Sequence, residues 1–465
     1  MQLPDGLVAV VKRECPTCVL VEPVLRRLGA AVWCQDDAGW FDHDDTGLEV
    51  SYRLDVETVP TLLRVEDGVE TARVVGWSRE QWEALTGVAG LGPGLPEHRP
   101  GCGSLSVDPS RVDALEARYG STGLASRRVE LADLEDEHEA LFDRGWTDGL
   151  PVVPPTPERV LRMLRGTTRD PGEVVAVVPP DLVECTVEKV AVNAVMAGCL
   201  PEHLPVVLAA LEAACAEEFA LHGLLATTYF AGPVVVVNGP VAARIGMNSG
   251  VNALGQGNRA NATIGRALQL VVRNVGGGRP GEVDRATLGN PGKYTFCFAE
   301  REHDSPFPPL AAERGVPGDA VTVFGGCGVQ PVVDQLSRDP GSLARSFAAC
   351  LRVNGHPKLP MAFDAMLVVS PEHGRVLRES GWDRARLLAE LDGLLTLPGA
   401  EVARGAGGMA EGVPAAPAGA GLPKFRPGGL LVVSAGGDAG LFSAVVGGWV
   451  GGATGSVPVT REVRA

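Results

Sequence analysis

Short apolar runs alternate with stretches of helical period along most of the chain. Residues 7–11 are continuously apolar, residues 19–28 read as a helix, and residues 62–65 and 71–75 are two further runs separated by the turn Glu66-Asp67-Gly68. Trp77 and Ser78 then lead into a last helix through Leu85. From Gly149 onward, runs at 173–178, 233–238, 320–324, 365–370 and 430–434 are interleaved with helical stretches at 185–198, 204–218 and 260–275. Continuous apolar strands between helices are the pattern of a sheet covered on both faces. The predicted fold class is α/β: a small N-terminal domain followed by a larger α/β domain with a mainly parallel sheet.

Residues 88–104 are rich in Gly and Pro and break regular structure, which sets the predicted domain boundary. The expected domains are 1–88, a linker with a short helix over 89–128, and 129–465. Helices are expected at 109–118 and 129–143, the second carrying Glu130, Asp133, Glu135, Asp136, Glu137 and Glu139, a solvated acidic face. The Ala/Gly/Pro-rich stretch 400–424 predicts a mobile loop.

Composition narrows the partners. No apolar run approaches the roughly 18 residues of a membrane span, and no cationic leader with an apolar core opens the chain. The expectation is a cytoplasmic protein without a membrane partner. A net charge of −16 argues against nucleic acid, which needs a concentrated basic face. Ten cysteines scattered over 465 residues are too few for a disulfide scaffold and should be reduced thiols. A homo-oligomer is left open.

The chemistry starts at Cys15-Pro16-Thr17-Cys18, directly after the first apolar run and at the head of the first helix. A C-x-x-C pair serves zinc as readily as disulfide exchange. A zinc ribbon needs a second ligand pair, however, and the nearest other thiols are the isolated Cys34 and Cys102. In the redox reading, Cys15 lies at a helix N-terminus, where free amides and the helix dipole lower a thiol pKa. Cys15 would attack a disulfide and Cys18 would resolve the mixed disulfide. Together with Val59-Pro60-Thr61 ahead of a strand, this pattern resembles the thioredoxin superfamily over residues 1 to about 88. The resemblance implies a cis-proline at Pro60 packed beside the two cysteines, and an external thiol reductant that recharges them. The chain departs from the family at its front, which has no room for a strand and helix before Leu7, and Lys12-Arg13-Glu14 stands where the family carries Trp.

In the larger domain, ligands are expected where strands end and helices begin. Gly325-Gly326-Cys327-Gly328 would put Cys327 in a turn, as an exposed nucleophile near free amides or as a plain turn residue. Cys185 shares a helical turn with Lys189 and could be activated, although Cys185 and Cys199 also suit a buried structural role. His373, after Ser370-Pro371, is a candidate substrate contact or a first-turn residue. The loop 246–261, with Asn252 and Asn258, runs into a helix with Arg259, Arg266 and Arg273 on one face. Backbone amides and guanidinium groups together suit a small anion, and an ordinary surface stripe is the alternative. Neither a Walker A nor a G-x-G-x-x-G pattern occurs here, so no nucleotide is implied.

Residues 145–156, the stretch from Glu184-Cys185-Thr186 to Cys199, and residues 279–287 resemble a bacterial family named for a UGSC selenocysteine/cysteine motif, often preceded by a thioredoxin-like domain. The likeness covers about 105–465. It implies an association with thiol or selenol redox chemistry and no particular substrate. The tetrapeptide itself is not present, and Pro100-Gly101-Cys102-Gly103-Ser104 is the nearest string.

These readings combine into a thiol-dependent redox enzyme without a cofactor. The dithiol would regenerate a cysteine of the larger domain, Cys327 or Cys185, acting on a small anionic substrate, with sulfur and selenium compounds in range. Cys102 would relay between the domains, and tethering would supply a roughly millimolar effective concentration. Two alternatives stand beside this one: soft-metal handling by cysteine thiolates, and a non-thiol enzyme with a thioredoxin-like docking module.

Overall fold

The computed structural model describes residues 3–132, 135–414 and 419–464. The chain forms two compact units, one of Met1–Gly123 with Pro157–Leu161, the other of Leu124–Thr156 with Arg162–Ala465. Residues 89–123, expected to be mostly linker, therefore belong to the N-terminal unit.

In that unit, β1 (Gly6–Val11) feeds α1 (Pro16–Leu28), followed by β2 (Ala31–Cys34), β3 (His43–Asp44) and α2 (Glu49–Arg53). Next come β4 (Thr58–Val59), β5 (Thr61–Glu66), β6 (Val69–Val75), β7 (Trp77–Ser78) and α3 (Arg79–Thr86). The sheet order is β3-β2-β1-β5-β6, with β1 parallel to β2 and antiparallel to β5. Pro16 opens α1 where a missing N–H costs nothing. Gly29, at φ 63°, ends it in the left-handed conformation that glycine adopts without strain. The apolar run of β1 predicts burial on both faces, and Val8, Ala9, Val10 and Val11 are all fully buried. Trp77 and Trp82 pack edge to face at 4.9 Å, and their indole N–H groups donate to Pro96 O and Gly76 O.

The Gly/Pro-rich stretch is bonded into the unit. β8 (His98–Arg99) pairs with β7, and β9 (Cys102–Gly103) pairs antiparallel with β4, setting Cys102 opposite Val59. Gly101 is required by close approach, since a Cβ there would lie 2.5 Å from Val59 O. Buried Gln35 fixes the following turn: its Nε2 donates to Ser51 Oγ (2.7 Å) and Ser104 Oγ (2.6 Å), and its Oε1 accepts from Leu105 N (3.0 Å). The short helix of this stretch is α4 (Val112–Tyr119).

The second unit is also α/β. It holds the hairpin β10 (Val174–Val178) and β11 (Val183–Thr186), then β12 (Gly232–Asn238), β13 (Cys297–Ala299), β14 (Ala320–Val333) and β15 (Phe363–Val369). The short pair β16 (Leu397–Pro398) and β17 (Gly421–Leu422) precedes β18 (Leu430–Ser434), β19 (Phe442–Val450) and β20 (Val459–Glu462). The main sheet runs β13-β12-β14-β19-β15-β18, with β20 on β14. The expectation of a mainly parallel sheet holds only for the pairs β12/β13 and β15/β18; β12/β14, β14/β19, β15/β19 and β14/β20 are antiparallel. The reason lies in glycines that are not turns. β14 runs straight through Gly325-Gly326-Cys327-Gly328, and a bulge follows Cys327, where Gly328 takes φ 43°. Gly448 in β19 lies where a Cβ would meet Asp364 O at 2.3 Å, so the glycine there lets β19 approach β15 closely.

Both faces of β15 are covered, as its unbroken apolar run predicts. Ala365, Leu367 and Val369 pack with Leu343, Phe347 and Leu391, while Met366 and Val368 pack with Val234, Phe298 and Phe324. The described part of 400–424 is tied down: Val402 is buried, and the Lys424 ammonium donates to Asn354 O and His356 O, both at 2.7 Å. Residues 415–418 of that stretch lie outside the described residues, as does Asp133 of the acidic run. That run is helical only over Glu137–Asp143, with Asp136 as its cap. Among the described residues, no helix is long and apolar enough to cross a membrane.

Candidate active site

Cys15 is itself the N-cap of α1, in an extended conformation (φ −86°, ψ 116°). Its carbonyl accepts from Val19 N, so the helix begins at this residue and its sulfur stands at the helix N-terminus, though it accepts no cap hydrogen bond from the first-turn amides. The Cys18 thiol beside it, and after it the Cys102 thiol and the nearby amides of Cys18 and Thr17, favour the thiolate form of Cys15. Against burial, these neighbours, Cys18 first, lower the Cys15 pKa to about 5. Burial, and next the hydrogen bond to Cys15, push Cys18 well above the ordinary thiol range, even though Lys12 N donates to its sulfur at 3.4 Å. One thiolate beside a protonated partner is the arrangement of a nucleophile and a resolving thiol.

The Val59–Pro60 peptide is cis, and Val59 O lies 3.5 Å from Cys15 Sγ. Cys102, across β4 from Val59, is the third thiol of the site, raised chiefly by its hydrogen bond to Cys15. The structure therefore sets Cys102 against the dithiol, within the N-terminal unit, and not in a hinge. Cys15 and Cys18 are 0% exposed, whereas Cys102 is partly exposed. The strap holding Cys102 is further tied by Thr17 Oγ1 donating to Pro100 O (2.7 Å) and by Lys12 Nζ donating to Gly103 O (2.9 Å). Sequence reasoning missed Gln35, Ser51, Ser104 and Ser106, which fix this strap; no spacing rule links a strand-end Gln to a serine some seventy residues away.

The second unit does not assemble the site expected of it. Cys327 is inside β14, where burial raises its pKa; Tyr229 Oη contacts its sulfur at 3.4 Å. Tyr229, Phe230, Phe363 and Trp449 line an open pocket of about 390 Å³. Cys185 is the one buried residue of β11, and burial raises it to about 12, far outweighing Lys189, whose ammonium donates to Glu184 O. Cys199 is likewise pushed up to about 12 by burial.

The arginine stripe is already engaged. Arg266 makes a two-pronged ion pair with Asp148 (2.7 and 2.8 Å) and donates to Pro151 O, fastening 145–151 to the helix Arg259–Asn274. Arg259 Nε donates to Gly198 O at 2.8 Å, and Arg273 reaches Gly145 O at 3.5 Å. Asn258 caps this helix through Asn261 N, and Asn252, at φ 61°, donates to Gln256 O. His373 is fully buried, with Nδ1 against Ser443 Oγ (2.7 Å) and Nε2 against Asp334 O (2.9 Å). These contacts tie parts of the second unit to one another, and Arg266 in particular is committed to Asp148. Among the described residues, no group of three or more His, Cys, Asp or Glu side chains is placed to hold a metal ion. No family model and no curated protein matches this chain, so the reading of its chemistry rests on the geometry of the three thiols.

Proposed function

We propose that the protein is a thiol-disulfide oxidoreductase whose N-terminal unit is a thioredoxin-like module with Cys15 as nucleophile and Cys18 as resolving thiol. The observation that carries this reading is Cys15 at the cap position of α1 with Cys18 and Cys102 as its thiol neighbours, its pKa lowered to about 5, chiefly by Cys18. Thiolate is then the resting form at neutral pH, while Cys18 keeps its proton until the mixed disulfide forms. An external thiol recharges the pair, in the reducing cytoplasm. In the same reading, a thiol of the second unit is the internal acceptor. Cys327 is the best supported candidate, because it touches a pocket-lining side chain, whereas Cys185 and Cys199 are sealed in the core.

The test is reduction of oxidised glutathione by the reduced full chain, with thiols mapped by mass. The expected result is loss of reduction in Cys15→Ser and accumulation of a disulfide on Cys15 in Cys18→Ser. A Cys15→Ser variant that reduces glutathione at the wild-type rate would refute the reading.

A further inference from the structure

The three thiols of the site differ in one respect that the two-cysteine scheme does not use. The nucleophile is sealed, with Cys15 and Cys18 both 0% exposed, and the thiol lying against Cys15 is partly open. The seal is built from this chain. β9 pairs with β4 so that Cys102 faces Val59, whose carbonyl lies 3.5 Å from Cys15 Sγ. Pro100 O is bonded to Thr17, Gly103 O to Lys12, and Ser104 to Gln35. An extended segment occupying an exposed strand edge is how peptides are commonly bound, and here the edge beside Pro60 is filled by residues 102–103.

We propose that Cys102 is the thiol through which disulfides exchange with the sealed pair, by way of a Cys15–Cys102 disulfide. This rests on the reading of Cys15 as nucleophile and adds the route by which oxidant arrives. The steps balance for a small disulfide RSSR. The Cys102 sulfur attacks RSSR, its proton goes to the departing thiol, and a Cys102–SR bond replaces the R–R disulfide. The Cys15 thiolate attacks Cys102 Sγ, forming Cys15–Cys102 and expelling the second thiolate. Cys18 attacks Cys15 Sγ and passes its proton to Cys102, which leaves as a free thiol. Two electrons have moved from Cys15/Cys18 to RSSR, and Cys102 is regenerated.

The experiment uses the full-length reduced protein and oxidised glutathione. In Cys18→Ser, mass mapping is expected to find a Cys15–Cys102 disulfide with two glutathione thiols released per chain. In otherwise wild-type protein, Cys102→Ser and Cys102→Ala are expected to lower the rate of glutathione reduction at least tenfold, with the thermal midpoint checked to keep misfolding apart from lost chemistry. Folded Cys102 variants that reduce glutathione at the wild-type rate, or Cys18→Ser protein held as a Cys15–glutathione adduct with Cys102 free, would overturn the proposal while leaving Cys15 as nucleophile. Glutathione reduction that persists in Cys15→Ser would instead refute the function on which the proposal rests.

Discussion

Cys15 and Cys185 both stand at the start of a helix after a strand, and their chemistry diverges completely. Cys15 is the cap of α1, and two thiol neighbours, Cys18 before Cys102, favour its thiolate more than the first-turn amides do. Cys185 is one residue too early. The cap of Val187–Ala197 is Thr186, whose hydroxyl accepts from Lys189 N, and the Cys185 sulfur is left in the core against Thr186 O. One sulfur is lowered to about 5 and the other raised to about 12. At pH 7 that separates their thiolate fractions by about 10⁵, and the higher nucleophilicity of the more basic thiolate recovers roughly 10³, leaving about 10² in favour of Cys15 before access is counted. The lesson is that standing near a helix start does not by itself activate a thiol: Cys15 is lowered chiefly by the Cys18 thiol beside it, while Cys185 has no such neighbour and is raised by burial.

The sharpest way to break the comparison is to remove each sulfur in turn. Cys15→Ser should lower disulfide reduction by roughly 10³ or more, since a serine hydroxyl forms no such exchange intermediate, whereas Cys185→Ser should leave the rate unchanged; stopped-flow reduction of oxidised glutathione reads both. In the second unit the account predicts structural losses. Arg266→Ala strands the mostly buried Asp148 carboxylate and should cost about 3 kcal/mol of stability, seen as a lower denaturation midpoint, with no change in reduction rate. Thr186→Ala should cost about 1 kcal/mol through the lost cap, and it should not lower the Cys185 pKa, because the sulfur would still be buried one residue ahead of the amides.

The N-terminal unit was legible because its signals are local: the run at 7–11, Pro16 at the first helical position, and two cysteines three residues apart. The second unit was legible as α/β, yet its sheet direction was not. Glycine is ambiguous between a turn and a strand that must pair closely, and Gly325 to Gly328 and Gly447-Gly448 are of the second kind. Arg259, Arg266 and Arg273 share a helix face as their spacing requires, but spacing carries no information about Asp148 and Gly145, which arrive from more than a hundred residues away and engage two of them. Cys102 was noticed as a thiol in a Gly/Pro-rich stretch; its place beside Cys15 depends on the β4/β9 pairing, which no periodicity announces.

The Cys15 pKa also sets a pH signature of stability. Because folding lowers it, the thiolate stabilises the reduced fold fully above the ordinary thiol value of about 8.5, and this contribution is lost as pH falls toward about 5. The stability gap between reduced wild type and Cys15→Ser should accordingly narrow over that interval.

The measurement that bears most directly on the account is the ultraviolet thiolate titration of the reduced protein, wild type minus Cys15→Ser, which needs no reagent to enter the sealed site. The account predicts a difference absorbance of one thiolate that appears with a midpoint near pH 5, and none for wild type minus Cys185→Ser below pH 9. A Cys15 difference that emerges only near the ordinary thiol range would contradict the claim that the surroundings of Cys15, the Cys18 thiol foremost, make this sulfur the reactive one.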